Sequence, residues 1–166
     1  MFNPGDAVVY GNSGVCIIDD IRLEEFLGKK EMYYILKPVF IKGSTIFCPV
    51  NNVKITMRGV VSKEDIAHLL NDDSAVFDSW NENELKRREL FSATLKKCDI
   101  KETAALVRIL LKKKADIEDC GRKFHVSDEK ILSDAEKTLF GEIAYVSGIS
   151  YDEASELFKK VVFRKT

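Results

Sequence analysis

One tryptophan and one basic triplet are the residues of this chain with the most chemistry to offer. Trp80 is the only tryptophan among 166 residues, and it lies in "DSWNENELKRREL", ahead of Lys86, Arg87 and Arg88. An aromatic ring with cations close by can wedge between base steps in a minor groove while the cations hold phosphates. The same ring can also be a core anchor beside a solvated helix face, because tryptophans are mostly well buried.

Catalytic chemistry is thinly supplied. The histidines are His68 and His125, and the acidic pairs Asp19–Asp20 and Asp72–Asp73 fall in turns and caps. The chain has no G-x-x-x-x-G-K-[ST], G-x-G-x-x-G, G-x-S-x-G or H-E-x-x-H run. Cys16, Cys48, Cys98 and Cys120 include no C-x-x-C pair, so reduced thiols are expected. No metal, cofactor or enzymatic activity is expected. The opening "MFNPGDAVVY" lacks a basic n-region, and no apolar run approaches the roughly 20 residues of a membrane span. A cytoplasmic protein with no membrane role is expected, as a monomer.

Net charge is −1, but the charge is uneven. Residues 1–60 are net +1, 61–83 net −5, 84–123 net +5 and 124–166 net −2. The basic middle is where a phosphate backbone could be held.

Those residues must be positioned by elements of two kinds. Up to about Gly59 the segments "DAVVY", "GVCIIDDI", "EMYYILKPVF", "STIFCPV" and "VKITMRGV" read as strands between turn residues. Five short strands predict a small SH3- or Tudor-like β-barrel over residues 1–60. Pro38 and Pro49 belong at strand ends or edges, and an open edge can accept a strand from a partner. Tyr33 and Tyr34 point to opposite faces, so one of them is core.

After Val61 the period becomes helical. Ser62 with Asp65, Ser79 with Glu82, Asp99 with Glu102 and Ser150 with Glu153 all have helix-start spacing. The Ser79 signal predicts Trp80 in the first turn of a helix. Lys86 to Arg88 would then lie roughly 9–12 Å further along, at about 1.5 Å per residue. Apolar stripes run through Ile100, Ala104, Val107 and Leu111, through Leu132, Ala135, Leu139, Ile143 and Val146, and through Ala154, Leu157 or Phe158, and Val161. Gly121 and Gly148 read as stops, with "EDCGRKFHVSD" as a loop. The fold class is α+β in two domains, with residues 61–166 an all-α bundle of four to five helices.

The order of these motifs resembles the CarD family of bacterial transcription regulators. "NPGDAVVYGNSGVCIIDDI" is similar to the family's opening, with Gly5, Asp6, Val8, Val9, Tyr10 and Gly14 in place. "YYILKPVFIKGSTIFCPVNN" resembles its next hairpin, "MRGVVSKEDIAHLL" its joint, and "LSDAEKTLFGEIAYVSG" its late helix. The resemblance implies an N-terminal RNA-polymerase-interacting domain similar to that of transcription-repair coupling factor. That domain would bind the polymerase β subunit through the edge Thr45, Ile46, Phe47, Cys48 and Pro49. It also implies a helical domain that stabilises the promoter open complex. Trp80 would sit against the minor groove, and Lys86, Arg87 and Arg88 would contact DNA without reading sequence.

The chain departs from the family pattern in three places. "NENEL" separates Trp80 from the cations, Phe47 stands where the family often has a basic residue, and Glu24 and Glu25 replace cations of some members. A polymerase contact would therefore lean on backbone pairing and apolar burial. The alternative is a protein–protein adaptor that adds a strand to its partner and has no DNA role.

Overall fold

The computed structural model describes residues 1–71 and 80–164. Five strands come first: β1 (Ala7–Tyr10), β2 (Val15–Phe26), β3 (Lys29–Pro38), β4 (Ile46–Pro49) and β5 (Met57–Gly59). They pair antiparallel in the order β4-β3-β2-β1-β5. β1 to β4 form a meander, β5 returns to β1, and β4 and β5 are the two edges. Pro38 and Pro49 are the last residues of β3 and β4, where a missing N–H costs least.

Strand alternation sorts the side chains onto two faces. Val8, Tyr10, Cys16, Ile18, Tyr34, Leu36 and Cys48 form one buried cluster. Val9 and Val15 face the other way and pack with Cys98 of the helical half. Tyr34 is the core tyrosine of its pair, and Tyr33 is half-buried. The long β2–β3 hairpin closes through Leu27 and Gly28, at φ 53° and 76°. Both are left-handed, which suits a two-residue hairpin turn, and Gly28 adopts that conformation without a Cβ penalty.

Among the described residues five helices follow: α1 (Lys63–Asn71), α2 (Glu84–Lys97), α3 (Ile100–Asp119), α4 (Val126–Ser147) and α5 (Tyr151–Val162). Three of the four predicted starts are present. Ser62 and Asp65 cap each other at 3.1 Å, the Asp99 carboxylate accepts from the Glu102 amide at 2.8 Å, and Ser150 and Glu153 form a capping box. The fourth differs. Ser79 lies outside the described residues, and α2 starts at Glu84 with Asn83 as cap, its side chain accepting from the Lys86 amide at 3.1 Å. Trp80 therefore precedes the helix. Asn caps as well as Ser does, so capping strength alone could not choose between the two starts. The "EDCGRKFHVSD" loop is also shorter than expected, because α4 already begins at Val126 with the His125 ring as cap.

The apolar stripes of α3, α4 and α5 meet in one core with Ile66, Leu69 and Phe91. Phe158 rather than Leu157 is the α5 residue inside. Sheet and helices also touch. Arg58 on β5 reaches Glu142 on α4, Thr56 Oγ1 donates to the Lys96 carbonyl at 2.9 Å, and Phe40 packs edge-on to Tyr151.

Candidate functional site

The sheet offers a strand with one open side. β4 bonds to β3 in the register Leu36↔Ile46, Ile35↔Phe47, Tyr34↔Cys48 and Tyr33↔Pro49, and among the described residues no strand covers its other side. Thr45 sits one residue before the strand and is exposed. Cys48 points inward and is fully buried. Phe47 points outward, with Phe26 at 5.4 Å edge-on, and Phe26 in turn lies 5.1 Å from Tyr33. Phe26 and Phe47 are 42% and 39% exposed, an apolar cost that a monomer does not recover. The sequence pointed to Phe47 but not to Phe26 and Tyr33. Those two join it only through tertiary contact, since the β2–β3 register sets Phe26 opposite Lys29 and Tyr33 opposite Arg22.

Trp80 is half-buried against the helical core. The Arg87 guanidinium stacks over its ring, 4.3 Å from the centroid, and Lys113 Nζ lies 5.6 Å from it. Phe91 packs at 6.2 Å. Arg87 is itself held from behind. Its Nε and Nη2 donate to the two Asp128 oxygens at 3.1 and 2.6 Å, and its Nη1 donates to the Asn81 carbonyl at 2.7 Å. Asp128 is fully buried. A bidentate pair of this kind fixes a plane as well as a distance, so Trp80 is set against a rigid shelf.

The basic triplet is therefore divided. Arg87, expected on a solvated face toward phosphate, is only 6% exposed and points inward. Lys86 and Arg88 are exposed on either side of it, roughly 200° apart around the helix at 3.6 residues per turn. The spacing expected from a helix that began before Trp80 also fails. The chain bends ahead of Asn83, and Arg87 meets the ring directly. Of the lysine run at 112–114, Lys113 turns to Trp80 and Lys114 pairs with Glu129 at 2.7 Å. The sequence held no signal for Asp128 or Lys113 in this arrangement, since each comes from a different helix.

Among the described residues, no group of three or more His, Cys, Asp or Glu side chains is placed to hold a metal ion. No helix among them is long and apolar enough to cross a membrane. Burial pushes the Cys16 thiol up to about 11 and, with a hydrogen bond to Cys48, the Tyr10 hydroxyl up to about 12. Both are quiet core groups rather than nucleophiles.

A sheet with one aromatic-flanked open edge, joined to a helical body that presents a clamped tryptophan, defines a two-part binding protein. Residues 2–61 match the family described as "CarD-like/TRCF RID domain", and residues 65–159 match "CarD, C-terminal domain". The chain belongs to the CarD family of transcription regulators, which carry an RNA polymerase interaction domain and are not an enzyme family. The chain is also similar to a Bacillus subtilis (strain 168) protein named "Putative transcription factor YdeB". The two are 26% identical over 155 residues, covering 90% of this chain and 95% of that one.

Proposed function

We propose that this cytoplasmic regulator binds the β subunit of RNA polymerase through the β4 edge and stabilises the promoter open complex through its helical domain. The observation that carries the reading is the free outer side of β4 with Phe47 and Phe26 exposed beside it. Main-chain pairing along Thr45–Pro49 would supply affinity, and the aromatic pair would supply apolar burial in place of ion pairs. At the other end Trp80 would meet the minor groove without reading sequence, with Lys86 or Arg88 on phosphate and Arg87 holding the ring.

Two substitutions in the full chain test the two halves. Phe47→Asp adds a charge at an exposed site and should leave the fold intact while abolishing capture of core polymerase. Undiminished capture sinks the edge. Trp80→Ala should shorten open-complex lifetime on purified polymerase. An unchanged lifetime favours the second reading, an adaptor with no DNA role, for which the division of Lys86, Arg87 and Arg88 among three directions speaks.

A further inference from the structure

Arg88, Ser92 and Lys96 follow one another at intervals of four residues along one side of α2. They line a cleft of about 410 Å³, closed on its far side by Lys130 of α4 and by Asn12 of the turn after β1. A second cleft of about 390 Å³ shares Asn12 and Lys96 with the first and leads on to Lys54, in the segment between β4 and β5. The two form one open channel that runs from the helical half onto the sheet half.

We propose that this channel is a phosphate track for duplex DNA, so that nucleic acid is gripped across the junction of the two halves. The inference rests on the DNA reading proposed above and extends it from Arg88 to Lys54, Lys96 and Lys130. Lys54, Arg88, Lys96 and Lys130 all line the channel, and none takes part in an ion pair among the described residues. The cations of the β2–β3 hairpin behave differently. Arg22, Lys29, Lys30 and Lys37 are each neutralised by a neighbouring carboxylate. One carboxylate, Asp134, also lines the channel, which leaves it with an excess of positive charge.

Its form fits a polyanion better than a small anion. Both clefts are partly open to solvent rather than enclosed. Arg88 and Lys96 alone stand roughly 12 Å apart along the helix, farther than one small anion spans. The hydrogen bond from Thr56 Oγ1 to the Lys96 carbonyl lies at the crossing point and ties the sheet segment to α2. The two ends of the track are therefore held in fixed relation. Contacts of this type position a duplex without reading it.

The test is binding of the full chain to a labelled duplex, followed by fluorescence anisotropy over a salt series. Combining Lys54→Ala, Lys96→Ala and Lys130→Ala should weaken binding at least tenfold at low salt. The slope of log K against log salt should fall by about 2–3. A control with Lys42→Ala, Lys101→Ala and Lys123→Ala removes the same charge from exposed sites outside the channel and should keep the slope. Equal slopes for the two triple variants overturn the track while leaving a DNA contact elsewhere intact. A wild-type chain with no duplex affinity overturns both the track and the DNA reading beneath it. If ATP binds the wild type and is lost in the channel variant while duplex affinity stays unchanged, the occupant is a free nucleotide and the DNA assignment fails.

Discussion

Arg58 of β5 and Glu142 of α4 meet in a two-pronged ion pair, Nη1 to Oε1 at 2.7 Å and Nη2 to Oε2 at 2.8 Å. Glu142 is 1% exposed and also accepts from the Val61 amide at 3.0 Å. Arg58 Nε donates to the Cys98 carbonyl. One carboxylate inside the helical core thus fastens the last strand, the chain that leaves it and the C-terminal end of α2. The angle between the β4 edge and Trp80 depends on this joint.

Replacing Arg58 with Met should therefore destabilise the protein by about 2–4 kcal/mol, because the Glu142 charge is left buried without its partner. The range is set below that of a fully buried pair because the Arg58 side chain is 25% exposed. Urea unfolding followed by circular dichroism measures it. A loss under about 0.5 kcal/mol, the size of an ordinary surface change, would show that the joint contributes little.

Asp128→Ala strips the shelf beneath Trp80. Arg87 keeps its charge in a site that is nearly closed to solvent, so a cost of about 3–5 kcal/mol is expected. Trp80 is the only tryptophan, so fluorescence reports on it alone. Its emission should move to longer wavelength as Arg87 swings outward and the ring loses its cover. An unshifted spectrum in a folded variant would mean that Phe91 and Lys113 suffice to hold the ring.

Stability should fall at alkaline pH. The Cys16 thiol is raised from 9.0 to about 11 and the Tyr10 hydroxyl from 10.0 to about 12, both chiefly by burial. The unfolded chain releases these protons first, so ionisation favours unfolding. The stability is fully present below about pH 9 and declines as pH rises toward the folded values. Cys16 accounts for about 2 kcal/mol of the decline between pH 9 and 11. Unfolding curves at successive pH values should show the slope, and Cys16→Ala should flatten it.

Ser150→Ala removes the hydroxyl that accepts from the Glu153 amide at 3.1 Å and opens the capping box of α5. About 1 kcal/mol should be lost. Thermal unfolding is the readout, and polymerase capture should not change, because the Ser150 side chain bonds within its own helix start and not to β4.

Elements were legible in the sequence wherever the signal was local. The period-2 strands up to Gly59, the capping spacings at Ser62, Asp99 and Ser150, and the left-handed stop at Gly148 each depend on residues a few positions apart. The start of α2 was not legible, because Ser79 and Asn83 are equivalent caps. The edge position of Pro49 was readable from its missing N–H, whereas the aromatic partners of Phe47 were not.

By itself, then, the sequence determined a strand half and a helix half in family order, because backbone propensity and apolar periodicity act over one or two turns. The tertiary structure alone decided what the charged residues do. Arg87 finds Asp128 41 positions away, and Arg58 finds Glu142 84 positions away. A buried charge must have a partner, and which partner lies within reach is set by how helices and sheet pack, not by the residues beside it in the chain. That choice turned the centre of "KRR" from a hand held out to DNA into the support on which Trp80 rests.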